Sequence, residues 1–382
     1  MNDRPPLVSV VVPTFNRKEM AIQALESLQQ QTFPRWEAVV VDDGSSDGTL
    51  EQLQRLAQTE PRIRVFSRNR EPKGAPSCRN IGLQAAHGDY VVFLDSDDLL
   101  GPACLENRVR AMQENSDADF AVFPVLLFRE TLEDCMLVWN TTTSEPDLRR
   151  FLRGDSVWPI NGPIWRKPLL DRLAGFDENL FCWQDVDLHA RALLSQARYV
   201  KLLDREPDAF VRRHPTGSIS QDGLRTGNAL RSILRVFQKA CALAGPEISD
   251  EMRDSLRFAL IHVLQVSLAN RRYDLAAAAL STGKQLQLLS GSRCAAWQFA
   301  FRFYRARLDR LLGGRLLRNS LMGGFRRPSA IATKKYFPPQ DGHPGRVEEP
   351  ADTAAADLPL LKRTLRRWQK SFRKRFGTPS TP

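Results

Sequence analysis

Short apolar runs alternate with amphipathic segments through the first 130 residues of this 382-residue chain. The runs are rich in β-branched residues and too short for buried helices, so they predict strands. These strands are 8–12, 38–41, 63–66, 91–94 and a longer one, 120–128. Apolar residues at helical spacing predict helices at 18–31, 49–57, 77–86 and 102–114. Such repeats predict an α/β fold with a mostly parallel sheet.

The rest of the chain divides into parts of different composition. The alternation of strand and helix patterns becomes weaker after about residue 130, where one clear helix is predicted at 185–195. The pattern of residues 228–312 predicts helices throughout. A segment rich in glycine, proline and charge then predicts a flexible linker. We therefore expect a first domain at 1–225, a helical region at 226–322, a linker at 323–357 and a tail at 358–382.

The net charge of +11 belongs mainly to the tail. Residues 358–377 hold eight lysines and arginines and no acids, which leaves +3 for the remainder and argues against a nucleic-acid groove. An apolar stripe runs along this segment: Leu361, Leu365, Trp368, Phe372 and Phe376. A basic helix with such a stripe is typical of the surface of an anionic membrane. A partner-binding helix or a solvated helix is the alternative.

Other features bear on the cellular compartment. No apolar run approaches the roughly 18 residues of a membrane span, and the first residues lack the pattern of a secretory signal. The six cysteines are scattered without a Cys-x-x-Cys pair, which argues against a zinc site or a disulfide framework. We expect a cytoplasmic protein that associates peripherally with the inner face of the membrane.

Three carboxylates follow the fourth predicted strand. The apolar residues 91–94 run directly into Asp95, Ser96, Asp97 and Asp98. Ligands bind at the carboxyl ends of strands in open α/β sheets. Carboxylates this close repel one another, so a cation or a ligand rich in donors is needed to keep them ionised. Oxygen ligands suit Mg²⁺ or Mn²⁺, which often hold phosphates. An acidic first turn of the next helix is the alternative.

Polar residues also follow the first two strands. Pro13 is expected to end the first strand, and Thr14, Asn16 and Arg17 place donors at its carboxyl end. Asp43 follows the second strand, where its carboxylate could accept hydrogen bonds from a base or a ribose.

Two further positions lie at the starts of helices. Arg79 could face a phosphate or hold an aspartate in place, although a structural salt bridge would explain it nearly as well. Asp185 and Asp187 open a helix after an aromatic loop, and such a pair is more often a helix-capping device than a catalytic one.

Together these segments resemble the family-2 glycosyltransferases, which have the GT-A fold. The matching motifs cover roughly the first 220 residues: SVVVPTFNR at 9–17, VVVDDGSSDGT at 39–49, CRNIGLQAAHGDYVVFLDSDD at 78–98, GFDENLFCWQDVDLHARAL at 175–193 and RRHPTGSIS at 212–220. The resemblance implies an inverting transfer of a sugar from a nucleotide diphosphate sugar to a hydroxyl group.

The resemblance also implies roles for the residues of the first, second and fourth strand ends. Asp43 would contact the base of the nucleotide, with Pro13 and Thr14 lining the same pocket. Asp95 would touch the ribose or the metal, and Asp97 would coordinate a divalent ion, Mn²⁺ or Mg²⁺, with Asp98 beside it.

In the same family an acidic Glu-Asp motif supplies the general base. The base falls on Asp185, while Gln184 replaces the usual glutamate and puts acceptor contacts in doubt. His214 matches a histidine that completes the metal shell in some relatives, and a surface loop histidine is the alternative.

The expected partners follow from the family and from the tail. They are a nucleotide sugar, with UDP as the default nucleotide, and a glycan or lipid-linked acceptor in cell-surface polysaccharide or lipopolysaccharide synthesis. The helical region could mediate oligomer formation. Two alternatives remain: a haloacid-dehalogenase-type phosphatase with Asp95 as its nucleophile, and a non-catalytic sugar-nucleotide-binding scaffold.

Overall fold

The structure is a computed structural model that describes residues 6–132, 134–135, 137–139, 144–213, 227–245, 248–307, 334–337 and 346–348. Its strands are β1 (Val8–Thr14), β2 (Trp36–Asp42), β3 (Ile63–Ser67), β4 (Tyr90–Phe93), β5 (Leu99–Leu100), β6 (Phe120–Val122), β7 (Val125–Phe128), β8 (Leu137–Val138), β9 (Pro163–Arg166), β10 (Tyr199–Lys201), β11 (Ala209–Arg212), β12 (Lys334–Phe337) and β13 (Arg346–Glu348). Its helices are α1 (Lys18–Gln29), α2 (Thr49–Thr59), α3 (Ala75–Ala85), α4 (Cys104–Glu114), α5 (Asp147–Arg153), α6 (Lys167–Arg172), α7 (Gln184–Leu194), α8 (Asn228–Ala244), α9 (Asp250–Ala269), α10 (Tyr273–Gln285) and α11 (Gly291–Arg305).

The main sheet has the strand order β10-β6-β9-β4-β1-β2-β3. Strand β9 runs antiparallel to β4 and β6, and the other pairs are parallel. The predicted α/β fold with a mostly parallel sheet is therefore confirmed.

Alternate residues of the central strand β1 pack on opposite faces of this sheet. Val10 and Val12 belong to the apolar cluster that includes Leu25 of α1, whereas Val11 belongs to the cluster that includes Leu83 of α3. A strand with helices on both faces must be apolar throughout, which explains why it reads as an unbroken apolar run.

The prediction that Pro13 ends the first strand is wrong, because β1 continues to Thr14. The backbone N–H of Val8 points toward β2. Because backbone groups alternate in direction along a strand, the N–H and C=O groups of the odd-numbered residues of β1 point toward β4. Pairing with β4 stops at Val11, which lies opposite Phe93. The missing N–H of Pro13 therefore costs no hydrogen bond of the sheet.

The prediction of one strand over 120–128 is also wrong. Strand β6 belongs to the main sheet, whereas β7 belongs to a second sheet of order β13-β12-β8-β7-β11-β5. Pro124 lies between them and cannot donate to a ladder, so the chain can leave one sheet there and enter the other.

The predicted helices of the region after residue 226 are confirmed within the described residues, as α8 to α11. Their apolar core also includes Leu152 of α5 and Ala190 of α7, so the helical region packs directly on the first 200 residues. The division into domains stays a prediction. Among the described residues, no helix is both long enough and apolar enough to cross a membrane.

Some predictions fall outside the described residues. His214 and the tail at 358–382 lie entirely outside them, as does the linker apart from β12 and β13.

Candidate active site

The carboxyl ends of β1, β2 and β4 meet at one edge of the main sheet, because these neighbouring strands are parallel. The backbone N–H of Asp43 donates to the carbonyl of Thr14 over 2.9 Å, which joins the ends of β1 and β2. Residues 95–98 form the turn between β4 of the main sheet and β5 of the second sheet. The predicted polar residues of the three strand ends are thus brought together.

The turn holds three carboxylates in a small space. One oxygen from each of Asp95, Asp97 and Asp98 lies within 4.8 Å of the others. Asp98 is buried, and its oxygens accept from the backbone N–H of Arg212 at 2.9 Å and from Asn161 Nδ2 at 3.2 Å. Burial, then the charges of Asp97 and Asp95, raise the pKa of Asp98 well above its usual value.

This cluster fits a metal ion in its chemistry. The ligands are all oxygens, which Mg²⁺ and Mn²⁺ prefer. After burial, the charges of Asp97 and Asp95 raise the pKa of Asp98 further, and a bound cation would ease this repulsion. Three cationic groups approach the turn: Arg17 pairs with Asp97, Arg79 pairs with Asp95, and Arg212 Nε donates to the carbonyl of Asp97 over 3.0 Å. Asp95, Asp97 and Asp98 could therefore hold a metal ion.

The two aspartates at the end of β2 have different roles. Asp42 caps its own turn, because its Oδ2 accepts from the backbone N–H groups of Gly44 at 3.0 Å and Ser45 at 2.9 Å. Asp43 is buried and pairs through its Oδ1 with Arg68 Nε over 2.5 Å. Sequence reasoning missed Arg68, although its position directly after β3 was a usable signal.

The polar residues predicted at the end of β1 and in the loop after it differ in their hydrogen bonding. Asn16 joins the loops after β1 and β2, because its Oδ1 accepts from the N–H of Ser46 at 2.8 Å and its own N–H donates to Ser45 Oγ at 2.9 Å. Thr14 Oγ1 is buried and has no hydrogen-bond partner among the described residues. Pro13 lies buried beside it. The hydroxyl of Thr14, at the end of β1, is therefore a buried polar group that could form a hydrogen bond with a ligand.

Arg79 joins the acidic turn to the start of α7. Its Nη2 donates to Asp95 Oδ1 over 2.5 Å, and its Nη1 donates to Gln184 Oε1 over 2.7 Å. Arg79 and Gln184 are 105 residues apart in the chain. The structure thus brings Gln184, which precedes Asp185, to the edge of the sheet that carries the carboxylates.

Asp185 lies half-buried in the first turn of α7. Its burial raises the pKa of the carboxyl group, the nearby Arg79 opposes that change, and Asp95 adds to it. Asp187 is fully buried and pairs with Arg191 at 2.8 Å and with Lys239 at 2.7 Å. The two aspartates at the start of α7 therefore differ. Asp187 is held by two ion pairs, whereas Asp185 lies close to the acidic turn at 95–98.

The first part of this chain is similar in sequence to known proteins. The model of Glycosyl transferase family 2 matches residues 9–157. The putative teichuronic acid biosynthesis glycosyltransferase TuaG of Bacillus subtilis is 40% identical over 118 residues, which are 31% of this chain and 46% of that protein. The GalNAc(5)-diNAcBac-PP-undecaprenol beta-1,3-glucosyltransferase of Campylobacter jejuni is 38% identical over 109 residues, 28% of this chain and 35% of that protein. This chain therefore spans less than half the length of both relatives.

A solved structure supports the fold over more of the chain. TarS of S. aureus, residues 1–349, in complex with UDP-GlcNAc, has a TM-score of 0.57 and 22% identity, and the match covers 91% of this chain and all of that one. The α/β sheet followed by helices is thus the GT-A-like arrangement. Asp185 lies outside the segment 9–157, so the family model does not bear on its role. Through the motifs on β1, β2 and β4, residues 9–157 of this chain are similar to Glycosyl transferase family 2.

Proposed function

We propose that this protein transfers a sugar from a nucleoside diphosphate sugar to a hydroxyl group, with Asp185 as the general base. The observation that carries the proposal is the double hydrogen bond of Arg79, to Asp95 at 2.5 Å and to Gln184 at 2.7 Å. Through it, the acidic turn and the start of α7 face one another across one guanidinium group. A group that stabilises a leaving diphosphate and a group that deprotonates an acceptor must be this close in a sugar transfer.

The donor site is proposed at the ends of β1 and β2. Asp43, held by Arg68, would accept from the base, and Pro13 and Thr14 would line the pocket. Asn16 and Arg17 border it from the loop after β1. The unsatisfied hydroxyl of Thr14 supports a ligand contact there. TarS was solved with UDP-GlcNAc, which makes uridine sugars the first donors to test.

Asp97 and Asp95 are the residues we propose to hold a divalent ion, Mn²⁺ or Mg²⁺. Such an ion, when bound, stabilises negative charge on the departing diphosphate. Asp98 fixes the turn from behind, since both of its oxygens are already engaged by Arg212 and Asn161. Arg17, now paired with Asp97, can move its charge to a phosphate when the donor enters. His214 remains a proposed further ligand.

Asp185 would accept the proton of the attacking hydroxyl group. Burial raises the pKa of Asp185, which makes it a stronger base than an exposed aspartate. One base on the side of the acceptor implies in-line attack and inversion at the anomeric carbon. The Glu-Asp motif of the family reads Gln184-Asp185 in this chain. Because Gln184 carries no charge, Asp185 is the carboxylate of this pair.

The test is nucleoside diphosphate release from a panel of UDP-sugars, measured with and without Mn²⁺. Asp97→Ala and Asp185→Asn should each reduce turnover at least about 1,000-fold, because each removes a group that acts in the transition state. Asp171→Asn is the matched control, since Asp171 is a half-exposed acid on α6 that pairs with Lys167. Near-normal turnover by either site variant would contradict the assignment.

The same assay separates the alternatives. A scaffold would bind the sugar nucleotide, detected as thermal stabilisation, yet release no diphosphate. A phosphatase would release inorganic phosphate from simple phosphoesters, with loss of that activity in Asp95→Asn.

The acceptor and the location are proposed from the relatives and from the tail. TuaG is named for teichuronic acid biosynthesis, and the Campylobacter jejuni glucosyltransferase is named for an undecaprenol-linked glycan, which supports a glycan or lipid-linked acceptor. The apolar stripe of the tail and the basic residues beside it would hold the protein at the inner face of the cytoplasmic membrane. Deleting residues 358–382 should abolish binding to vesicles that contain anionic lipid without abolishing UDP release. Retained vesicle binding would refute the membrane role of the tail.

A further inference from the structure

The loop that precedes Asp185 is held on one side by helix α8 of the helical region. Ser232, Arg235 and Lys239 recur at spacings of three and four residues, so they share one face of α8. All three contact the segment 177–187, which we name the Asp185 loop. This contact connects a part of the chain outside the family-2 motifs to the segment that carries the candidate base.

Ser232 contacts the backbone of the loop shortly before Asp185. Its side chain is buried, and its Oγ accepts from the backbone N–H of Phe181 at 3.0 Å and of Cys182 at 3.4 Å. Two backbone donors of a loop thus depend on one hydroxyl group from another element. Without it, these partly buried N–H groups would lack that partner, which costs free energy unless the loop moves to find another.

Charged residues of α8 hold the two ends of the same loop. Arg235 Nε donates to Asp177 Oδ2 over 2.7 Å, and Lys239 Nζ lies 3.1 Å from the same oxygen. Lys239 also lies 2.7 Å from Asp187 Oδ1, which is fully buried. One ammonium group therefore bridges the start and the end of the loop.

The opposite side of the loop is tied to the sheet. Asn80 Nδ2 donates to Glu178 Oε1 over 2.8 Å, and Gln184 accepts from Arg79. The Asp185 loop is therefore clamped between α3, which lies against the main sheet, and α8. Removal of either side would leave the position of Asp185 less determined.

We propose that α8 is a positioning element for Asp185 and that Ser232 is its decisive contact. The inference rests on the proposed function only in so far as Asp185 is the base. It assigns a role in turnover to the helical region, whose sequence carries no catalytic motif. Among the described residues, the hydrogen bonds of the Ser232 side chain go to Phe181 and Cys182 and not to the donor site at the ends of β1, β2 and β4.

Ser232→Ala in the full chain tests this proposal. We expect kcat for UDP-sugar turnover to fall roughly 10- to 100-fold, because a small misplacement of a reacting group is costly. The KM for the UDP-sugar should stay within about twofold, since donor-binding residues are untouched. Ser255→Ala is the matched control: Ser255 is a buried serine of α9 whose Oγ has no hydrogen-bond partner among the described residues.

Amide hydrogen exchange on the nucleotide-free protein gives a second readout. Peptides that contain Phe181 and Cys182 should lose protection in Ser232→Ala and keep it in Ser255→Ala. Unchanged kcat in Ser232→Ala, or unchanged protection of these peptides, would overturn the inference. A fall of kcat in the Ser255 variant equal to that in the Ser232 variant would overturn it as well. If the unaltered protein turns over no sugar nucleotide, the proposed function fails, and the exchange result still decides whether Ser232 holds the loop.

Discussion

Gln184 accepts a 2.7 Å hydrogen bond from Arg79, and this bond fixes the orientation of its amide group. A guanidinium group can only donate, so the amide oxygen faces Arg79. The amide nitrogen then faces the carbonyl oxygens of Leu180 at 3.3 Å and Phe181 at 3.1 Å. A glutamate here could still accept from Arg79, but it would turn an acceptor toward two other acceptors. Gln184 stands where the family pattern has a glutamate. Its amide group, unlike a carboxylate, can both accept from Arg79 and donate to the carbonyl oxygens of the preceding loop.

Gln184→Glu should shift the pH dependence of turnover. A negative charge beside Asp185 disfavours its ionised form, so the acid limb of the kcat profile should move upward by about one pH unit. Turnover profiles of the two proteins between pH 5 and 9 would show the shift. Coincident acid limbs would mean that position 184 does not act on the charge of Asp185.

The unaltered protein should itself lose turnover at a pH above the usual range of an aspartate. Burial raises the pKa of Asp185, so this carboxyl group binds its proton, and ceases to be a base, at a higher pH than an exposed aspartate would. The acid limb of kcat/KM should therefore lie above pH 3.8 and be independent of which UDP-sugar is used. A limb that moves with the identity of the donor would point to a group on the substrate instead.

Arg68→Met should weaken donor binding without slowing the chemical step. Arg68 pairs with Asp43 at 2.5 Å, and loss of this partner leaves the carboxylate free to turn away from the base. We expect a rise of roughly tenfold in KM for the UDP-sugar with kcat within about twofold. Arg172→Met is the control, because Arg172 pairs with Asp119 on an exposed surface. A fall in kcat at unchanged KM would place Arg68 in the chemistry rather than in binding.

Glu26→Gln should stabilise the protein at alkaline pH. Glu26 lies buried on α1, and burial raises its pKa to about 7. Because the folded pKa exceeds the unfolded one, the stability that neutral Glu26 permits is present below about pH 4.5 and is lost as the pH rises through 7. The variant should gain roughly 1 to 3 kcal/mol at pH 8 and nothing at pH 4.

Urea unfolding at the two pH values measures that difference. Glu51→Gln, which changes an exposed glutamate of α2, should shift stability at neither pH. Equal stability of the Glu26 variant and the unaltered protein at pH 8 would show that Glu26 is solvated in the folded state.

Several site residues were accessible from sequence because each follows a strand directly. Thr14, Asp43 and Asp95 stand at the ends of three apolar runs, and parallel strands put their carboxyl ends on one edge. Arg68 follows a fourth run and could have been found in the same way. Ser232 and Arg212 had no such signal, since their partners lie 51 and 115 residues away in the chain.

The alternation of apolar runs with helical periodicity determined the fold class by itself. Strands buried on both faces of a sheet are apolar throughout, whereas helices buried on one face have apolar residues at helical spacing. This alternation did not determine which sheet the residues after Pro124 would join, since apolar residues suit either sheet equally. Only the tertiary structure decided that, and it also decided the different fates of Asp185 and Asp187. Both are aspartates in one helical turn, and the difference lies in what packs against each: Lys239 from a helix distant in the chain beside one, and the acidic turn near the other.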